Sequence, residues 1–184
     1  MKRKRFNKED WLELGLNRLA QDGADALRLK DLCIAADRTI GSFYHHFEDQ
    51  DAFFDAMMKH WRRTNTQNVI QQIEAIPDDK IKAERLGVIA HTMNQAIEIG
   101  IRNFAHQNTV AAKMVAEVDE ERIQYLFTLY QRRFSVPNAL ARDLAELEYA
   151  AFVGTQSVWG SGGFERGQIL STLFDRMVDE FLEK

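Results

Sequence analysis

The sequence predicts an all-α protein of about nine helices, and three observations predict it. Only two prolines, Pro77 and Pro137, interrupt 184 residues, so helices are allowed almost everywhere. Apolar residues recur with the 3.6-residue period along most of the chain, and no alternating β pattern persists beyond a few residues. Residues suited to cap helix N-termini stand in front of most of these periodic stretches.

Taken in order, Asn7 is placed to cap a first helix whose stripe of Trp11, Leu12, Leu16, Leu19 and Ala20 stops at Gly23. Leu29, Leu32, Cys33 and Ala36 make a second, short helix. Thr39 caps a third, in which Phe43 and Phe47 share one face. Three helices in about 40 residues, the last two joined at Asp37-Arg38, is the spacing of a helix-turn-helix. Asp49 caps a fourth helix that carries Phe53, Phe54, Met57 and Trp61 on to Ile76, where Pro77 ends it. At about 26 residues it is a rod of roughly 39 Å. Asp78 or Asp79 opens a helix expected to run to Gly100, 101–106 reads as a short helix, and Asn108 or Thr109 starts one running to Phe134. Pro137 opens a helix to Trp159, the glycine-rich 160–163 is a loop, and 165–182 is a last amphipathic helix.

Composition narrows the function classes. Hydrophobic residues make up 45% and charged residues 28%, ordinary for a soluble folded chain. No apolar run approaches the roughly 18 residues of a membrane span. The basic start leads into Phe6-Asn7 and a charged helix, with no apolar core of a secretory signal. The lone Cys33 excludes an intramolecular disulfide and fits a reducing cytoplasm; on a helical stripe it reads as a buried, inert thiol rather than a redox sensor. The net charge is -4, yet residues 1–47 hold nine Lys/Arg against seven Asp/Glu, leaving -6 for the remainder. Four of those cations stand together as Lys2, Arg3, Lys4 and Arg5, either an arm for a polyanion or a solvated tail.

The segment 37–47, "DRTIGSFYHHF", concentrates the chemistry. Adjacent histidines project about 100° apart on a helix, so His45 and His46 do not grip one ion as an i,i+4 pair would. His60, His91 and His106 follow no ligand spacing, and no HExxH or ExxH occurs, so no metal is expected. There is no GxSxG, Walker loop or strand-borne GxGxxG, so neither an enzyme nor a cofactor is expected. A surface meant for DNA explains more. With Phe43 and Phe47 turned to the core, Thr39, Ile40, Gly41, Ser42, Tyr44, His45 and His46 line the outer side. Gly41 lets the backbone come close to a partner. Thr39 and Ser42 offer small hydrogen-bonding groups at a helix N-terminus suited to phosphate, and Ile40 suits a thymine methyl.

The string "WLxxGLxxLAQDGxxALRLKDLCxAAxxTxGSFYHHF", with Phe54 and Trp61 beyond it, resembles the TetR/AcrR family of bacterial transcriptional regulators over residues 8–61. The segments "IRNFAHQN" and "VDEERIQYL" resemble a recurring stretch in the effector domains of one branch. The resemblance implies an N-terminal three-helix DNA-binding domain, taken as 1–47, and a helical effector-binding and dimerisation domain, 48–184. It implies a homodimeric repressor on a palindromic operator, released by a small molecule. Thr39, Ile40, Ser42 and Tyr44 then fall where the family reads bases or nearby phosphates. His45 and His46 fall on backbone-contact positions, and Lys30 is the second helix's phosphate contact. The family's turn glycine is Asp37 here and the apolar residue after it is Arg38, so either the turn differs or Arg38 itself reaches DNA. A lysine common at the start of the fourth helix is Gln50 here, amid Glu48, Asp49 and Asp51.

Helical bundles place ligand sites between helices, and Trp61, His91, Met93, Asn94, Phe104, His106 and Tyr125 are the effector candidates. Helical stripes of such residues are more often plain core. On the last two helices Leu147, Ala151, Gly154 and Val158, together with Ile169, Leu173, Phe174 and Met177, are the candidates for a two-fold four-helix interface. The periodicity alone fits equally a cover for the chain's own domain; the resemblance selects dimerisation. A different class stays open: a helical ligand-binding or protein-interaction module whose helix-turn-helix no longer binds DNA, which Asp37, Gln50 and the acids around them favour.

Overall fold

A computed structural model describes residues 6–182, and among them every regular element is helical. Lys2, Arg3, Lys4 and Arg5 lie outside the described residues. Helix α1 (Lys8–Asp22) starts on a reciprocal cap: Asn7 Oδ1 accepts the Asp10 N–H at 3.0 Å, and the Asp10 carboxylate accepts the Asn7 N–H at 2.7 Å. Gly23, at φ 77°, ends it. A 3-10 turn (Ala24–Leu27), which the apolar periodicity did not reveal, leads to α2 (Leu29–Ala36). Helix α3 (Ile40–Tyr44) is capped by the Thr39 hydroxyl, which accepts the Ser42 N–H at 3.2 Å.

Helix α4 begins behind Asp49, whose carboxylate accepts the Ala52 N–H at 2.7 Å. It is the expected rod with an interruption. Its backbone is α over Gln50–Arg62, π over Arg63–Gln67 and α again over Asn68–Glu74. Helix α5 (Asp79–Thr92) opens on the Asp78 cap but does not reach Gly100. The break falls at Met93, which is extended (ψ 160°), and the Gln95 side-chain amide donates to the Ala90 carbonyl at 2.7 Å, satisfying the end of α5. Helix α6 (Gln95–Ala105) runs straight through Gly100. That glycine makes room rather than a stop: a Cβ there would lie 3.0 Å from the Leu19 carbonyl oxygen of α1. Helices α7 (Thr109–Arg133), α8 (Asn138–Trp159) and α9 (Phe164–Leu182) complete the nine, with a short 3-10 turn, Gly160–Gly162, before the last.

The chain folds into two compact units. One runs to Arg63 and includes Ala96–Ala116; the other is Thr64–Gln95 with the chain from Glu117 onward. The first is built on aromatic contacts at centroid distances of 5.0 to 5.4 Å, in which Trp11, Phe47 and Phe53 surround Phe43. Gly15 lets α1 close on α4, since a Cβ there would meet the Phe53 ring at 2.7 Å and Met57 Sδ at 2.8 Å. The second unit packs Leu126, Tyr130, Ala141, Leu144, Ala145, Tyr149 and Val178 into one core, with Phe134, Phe152 and Phe174 against it.

Candidate nucleic-acid interface

The α2–turn–α3 segment takes helix-turn-helix form around an unusual corner. Asp37 adopts the left-handed conformation, φ 51° and ψ 51°, and among the described residues it is the one non-glycine with a positive φ. The Arg38 N–H donates to the Cys33 carbonyl at 3.0 Å and the Asp37 N–H to the Ile34 carbonyl at 3.1 Å, closing the C-terminus of α2 as a glycine would. Asp tolerates this region better than most residues, so Asp37 can hold this corner while bringing a carboxylate to it. Arg38 is drawn back onto that turn. Its guanidinium donates to the Asp37 carbonyl at 2.7 Å and lies 5.3 Å over the Phe6 ring.

The segment sorts its side chains cleanly. Phe43 and Phe47 are buried, while Thr39, Ile40, Gly41, Tyr44 and His45 are exposed and Ser42 and His46 half-buried. Ile40 and Tyr44, four residues apart on one face, are each 51% exposed. No packing within the chain requires Gly41, since a Cβ there would meet only the Thr39 hydroxyl, at 3.8 Å. Lys30 is exposed in the first turn of α2. Ile34, 66% exposed on the same helix, belongs with this surface and was missed, although it stands outside the stripe of Leu29, Leu32, Cys33 and Ala36. Cys33 is buried, and burial pushes its thiol up.

Helix α3 is only five residues long, and the Thr39 hydroxyl accepts from its Ser42 amide. Gln50 is a structural residue, its Nε2 donating to the Leu27 carbonyl at 2.9 Å and tying α4 to the 3-10 turn. Glu48, Asp49 and Asp51 around it are exposed. The His45 and His46 rings sit 5.0 Å apart at 70°. Among the described residues no group of three or more His, Cys, Asp or Glu is arranged to hold a metal.

The effector candidates are divided. Trp61, Phe104 and His106 belong to the first unit, and His91, Met93, Asn94 and Tyr125 to the second. Trp61 is fully buried, its Nε1 donating to Glu98 Oε1 at 2.8 Å, and Phe104 packs edge-on against Phe54 at 5.1 Å. His106 and Asn94 are exposed and Met93 half-buried. Buried His91 has Nδ1 2.8 Å from the Gly87 carbonyl and meets Phe152 edge-on at 5.6 Å. The Tyr125 hydroxyl donates to Glu74 at 2.8 Å. Sequence reasoning missed a buried amide pair in the second unit. Gln156 Nε2 donates to Gln95 Oε1 at 2.6 Å, while Gln156 Oε1 is buried without a partner. Glutamines in a mixed helical stripe carry no mark of burial, so nothing pointed to them. A groove of about 500 Å³ in the first unit is lined by Phe6, Glu9, Glu13 and Ala35 among others, and by none of the predicted effector residues.

On α8 and α9 the predicted interface residues mostly face outward. Leu147, Val158, Ile169, Leu173 and Met177 are exposed, as is Ala151, and Gly154 has open space beside it. Phe174 is different: it packs into the second unit's own core.

No family model matches the chain, and no curated protein is similar to it in sequence. Solved structures do share its fold. The reduced form of NemR from E. coli superposes with a TM-score of 0.71 at 16% identity, covering 91% of this chain and 96% of that one. A transcriptional regulator from Cytophaga hutchinsonii ATCC 33406 superposes with a TM-score of 0.69 at 12% identity, covering 98% of this chain and all of its counterpart. The chain shares the all-helical fold of these two structures.

Proposed function

We propose that the protein is a cytoplasmic, homodimeric, sequence-specific DNA-binding regulator, a repressor released from a palindromic operator by a small-molecule effector. The observation that carries this reading is the sorting of 39–47: two phenylalanines buried, the small, apolar and hydrogen-bonding residues presented outward behind a helix-turn-helix corner. That outward set is the chemistry that reads base edges and phosphates. The whole-chain likeness to transcriptional regulators supports it. Residues 1–47 do the reading on this proposal, with Lys2, Arg3, Lys4 and Arg5 adding phosphate contacts, and 48–184 sense and dimerise. The exposed apolar rows on α8 and α9 support a second copy as their cover, because patches of this kind mark interaction sites. In the second unit, His91 and the unpartnered Gln156 oxygen are the groups assigned to orient the effector.

Selection of bound oligonucleotides from a random pool, repeated over a salt series, tests the proposal. A DNA binder loses affinity linearly in log–log terms with a slope set by the phosphates it contacts. Ser42→Ala should then change preference at one base position per half-site, whereas Tyr44→Phe and His46→Ala should weaken all sequences together. A second reading, a module that senses or binds protein without DNA, is favoured by the Asp37 carboxylate at the corner and by Gln50 being committed to Leu27. A pool that yields no enriched sequence decides for that reading.

A further inference from the structure

Helix α4 carries a defect with a keeper. Over Arg63–Gln67 its backbone is π-helical, a form found mostly as single turns inside α-helices and frequently at functional sites. Its sequence, Arg-Thr-Asn-Thr-Gln, contains no proline or glycine that would force a departure from α geometry. A side chain from α7 bonds this stretch directly. Arg122 Nε donates to the Thr66 hydroxyl at 3.0 Å, and its Nη2 donates to the Asn65 backbone carbonyl at 3.3 Å. Thr66 is 2% exposed, so its hydroxyl depends on a partner inside the protein. Arg122 is itself steadied by α8, with Nη1 3.5 Å from the Tyr149 hydroxyl, which donates to Asp119 at 2.6 Å. A guanidinium that bonds a helix's own carbonyl competes with the backbone ladder, and it favours the turn that leaves that carbonyl open to it.

We infer that Arg63–Gln67 is a two-register element, π as described here and α in its alternative, and that Arg122 is the latch selecting the π register. A π turn holds one more residue than an α turn, so exchange between registers shifts the phase of this stretch by one residue, roughly 100° about the axis. Whatever draws Arg122 from Thr66 and Asn65 thereby rewrites α4. Arg122 is a positioning residue in this scheme, acting through the helix.

The test uses the full chain and three variants, Arg122→Met, Arg122→Lys and Thr66→Val. Backbone amide exchange and carbonyl carbon-13 shifts are read over 60–72, with α1 and α9 as internal references. The latch predicts that Arg122→Met raises exchange at 63–70 by tenfold or more and moves the Asn65 and Thr66 carbonyl shifts, while exchange in α1 and α9 stays within twofold. Thr66→Val should move the same signals in the same direction by less, and Arg122→Lys should recover part of the wild-type pattern. Unchanged shifts at 63–67 in both Arg122→Met and Thr66→Val would overturn the proposal. So would exchange that rises uniformly, which marks Arg122 as ordinary packing. None of these readouts uses DNA, so the latch stands or falls apart from the proposed regulatory function.

Discussion

At the level of single residues, Asp37 is the departure with the clearest consequence. It holds a left-handed corner that glycine usually holds and brings a negative charge to the outward side of the helix-turn-helix. Asn tolerates the same backbone without the charge. Asp37→Asn should therefore leave thermal stability nearly unchanged and tighten binding to every oligonucleotide by about fivefold at low salt, the gain fading as salt rises. Titration of the variant against one oligonucleotide at two ionic strengths checks this. Much at this scale was legible in the sequence. Asn7, Thr39, Asp49 and Asp78 cap where their side chains and the following apolar stripes said they would. Gln50 was not legible, because its role is a bond to a carbonyl 23 positions away, and no local pattern encodes such a partner.

Among helices, the misplaced break near Met93 shows why local signals fail. Gly100 looked like a helix stop, but the tertiary contact explains it better: α6 crosses the Leu19 carbonyl there, and only the absence of a side chain permits the approach. Gly100→Ala should destabilise the protein by about 1–3 kcal/mol in denaturant titration, whereas an ordinary exposed helix glycine would gain stability from alanine. A second element-scale consequence lies between α7, α8 and α9. Half-buried Glu148 accepts a 2.6 Å hydrogen bond from the Tyr130 hydroxyl, and its desolvation between the helices holds its carboxyl up at about 7. The Asp175 charge contributes to that rise, and the Tyr130 bond and Arg133 oppose it. Burial likewise pushes Asp175 up. A carboxyl raised on folding adds stability that is complete below its unfolded value of about 4.5 and is lost as pH climbs through about 7. Stability should thus fall between pH 5 and pH 8, and Glu148→Gln should remove about 2 kcal/mol of that fall. Thermal unfolding of both proteins at the two pH values measures it. A flat wild-type profile would show the carboxyl to be hydrated.

For the molecule as a whole, the apolar rows on α8 and α9 define what assembly should look like. Leu173 is 46% exposed and Met177 59%, so a charge at either is tolerated by the single chain and not by a cover of the same kind. Leu173→Glu and Ala151→Glu should sediment as folded monomers and lose affinity for a full operator, whose half-sites should lie about 34–36 Å apart. Phe174→Glu is the wrong test, since Phe174 serves the core of its own unit. The all-helical class and the order of the nine rods followed from periodicity and two prolines. The grouping of effector candidates did not, because long-range packing assigns Trp61 and Tyr125 to different units and no helical repeat carries that information. Cys33, finally, makes the protein its own reporter. It is the sole thiol, buried in α2 beneath the corner that Asp37 closes. A thiol reagent can modify it only during excursions that expose this helix, so the labelling rate of the unmodified wild-type chain is a clock for the local opening of its N-terminal helices.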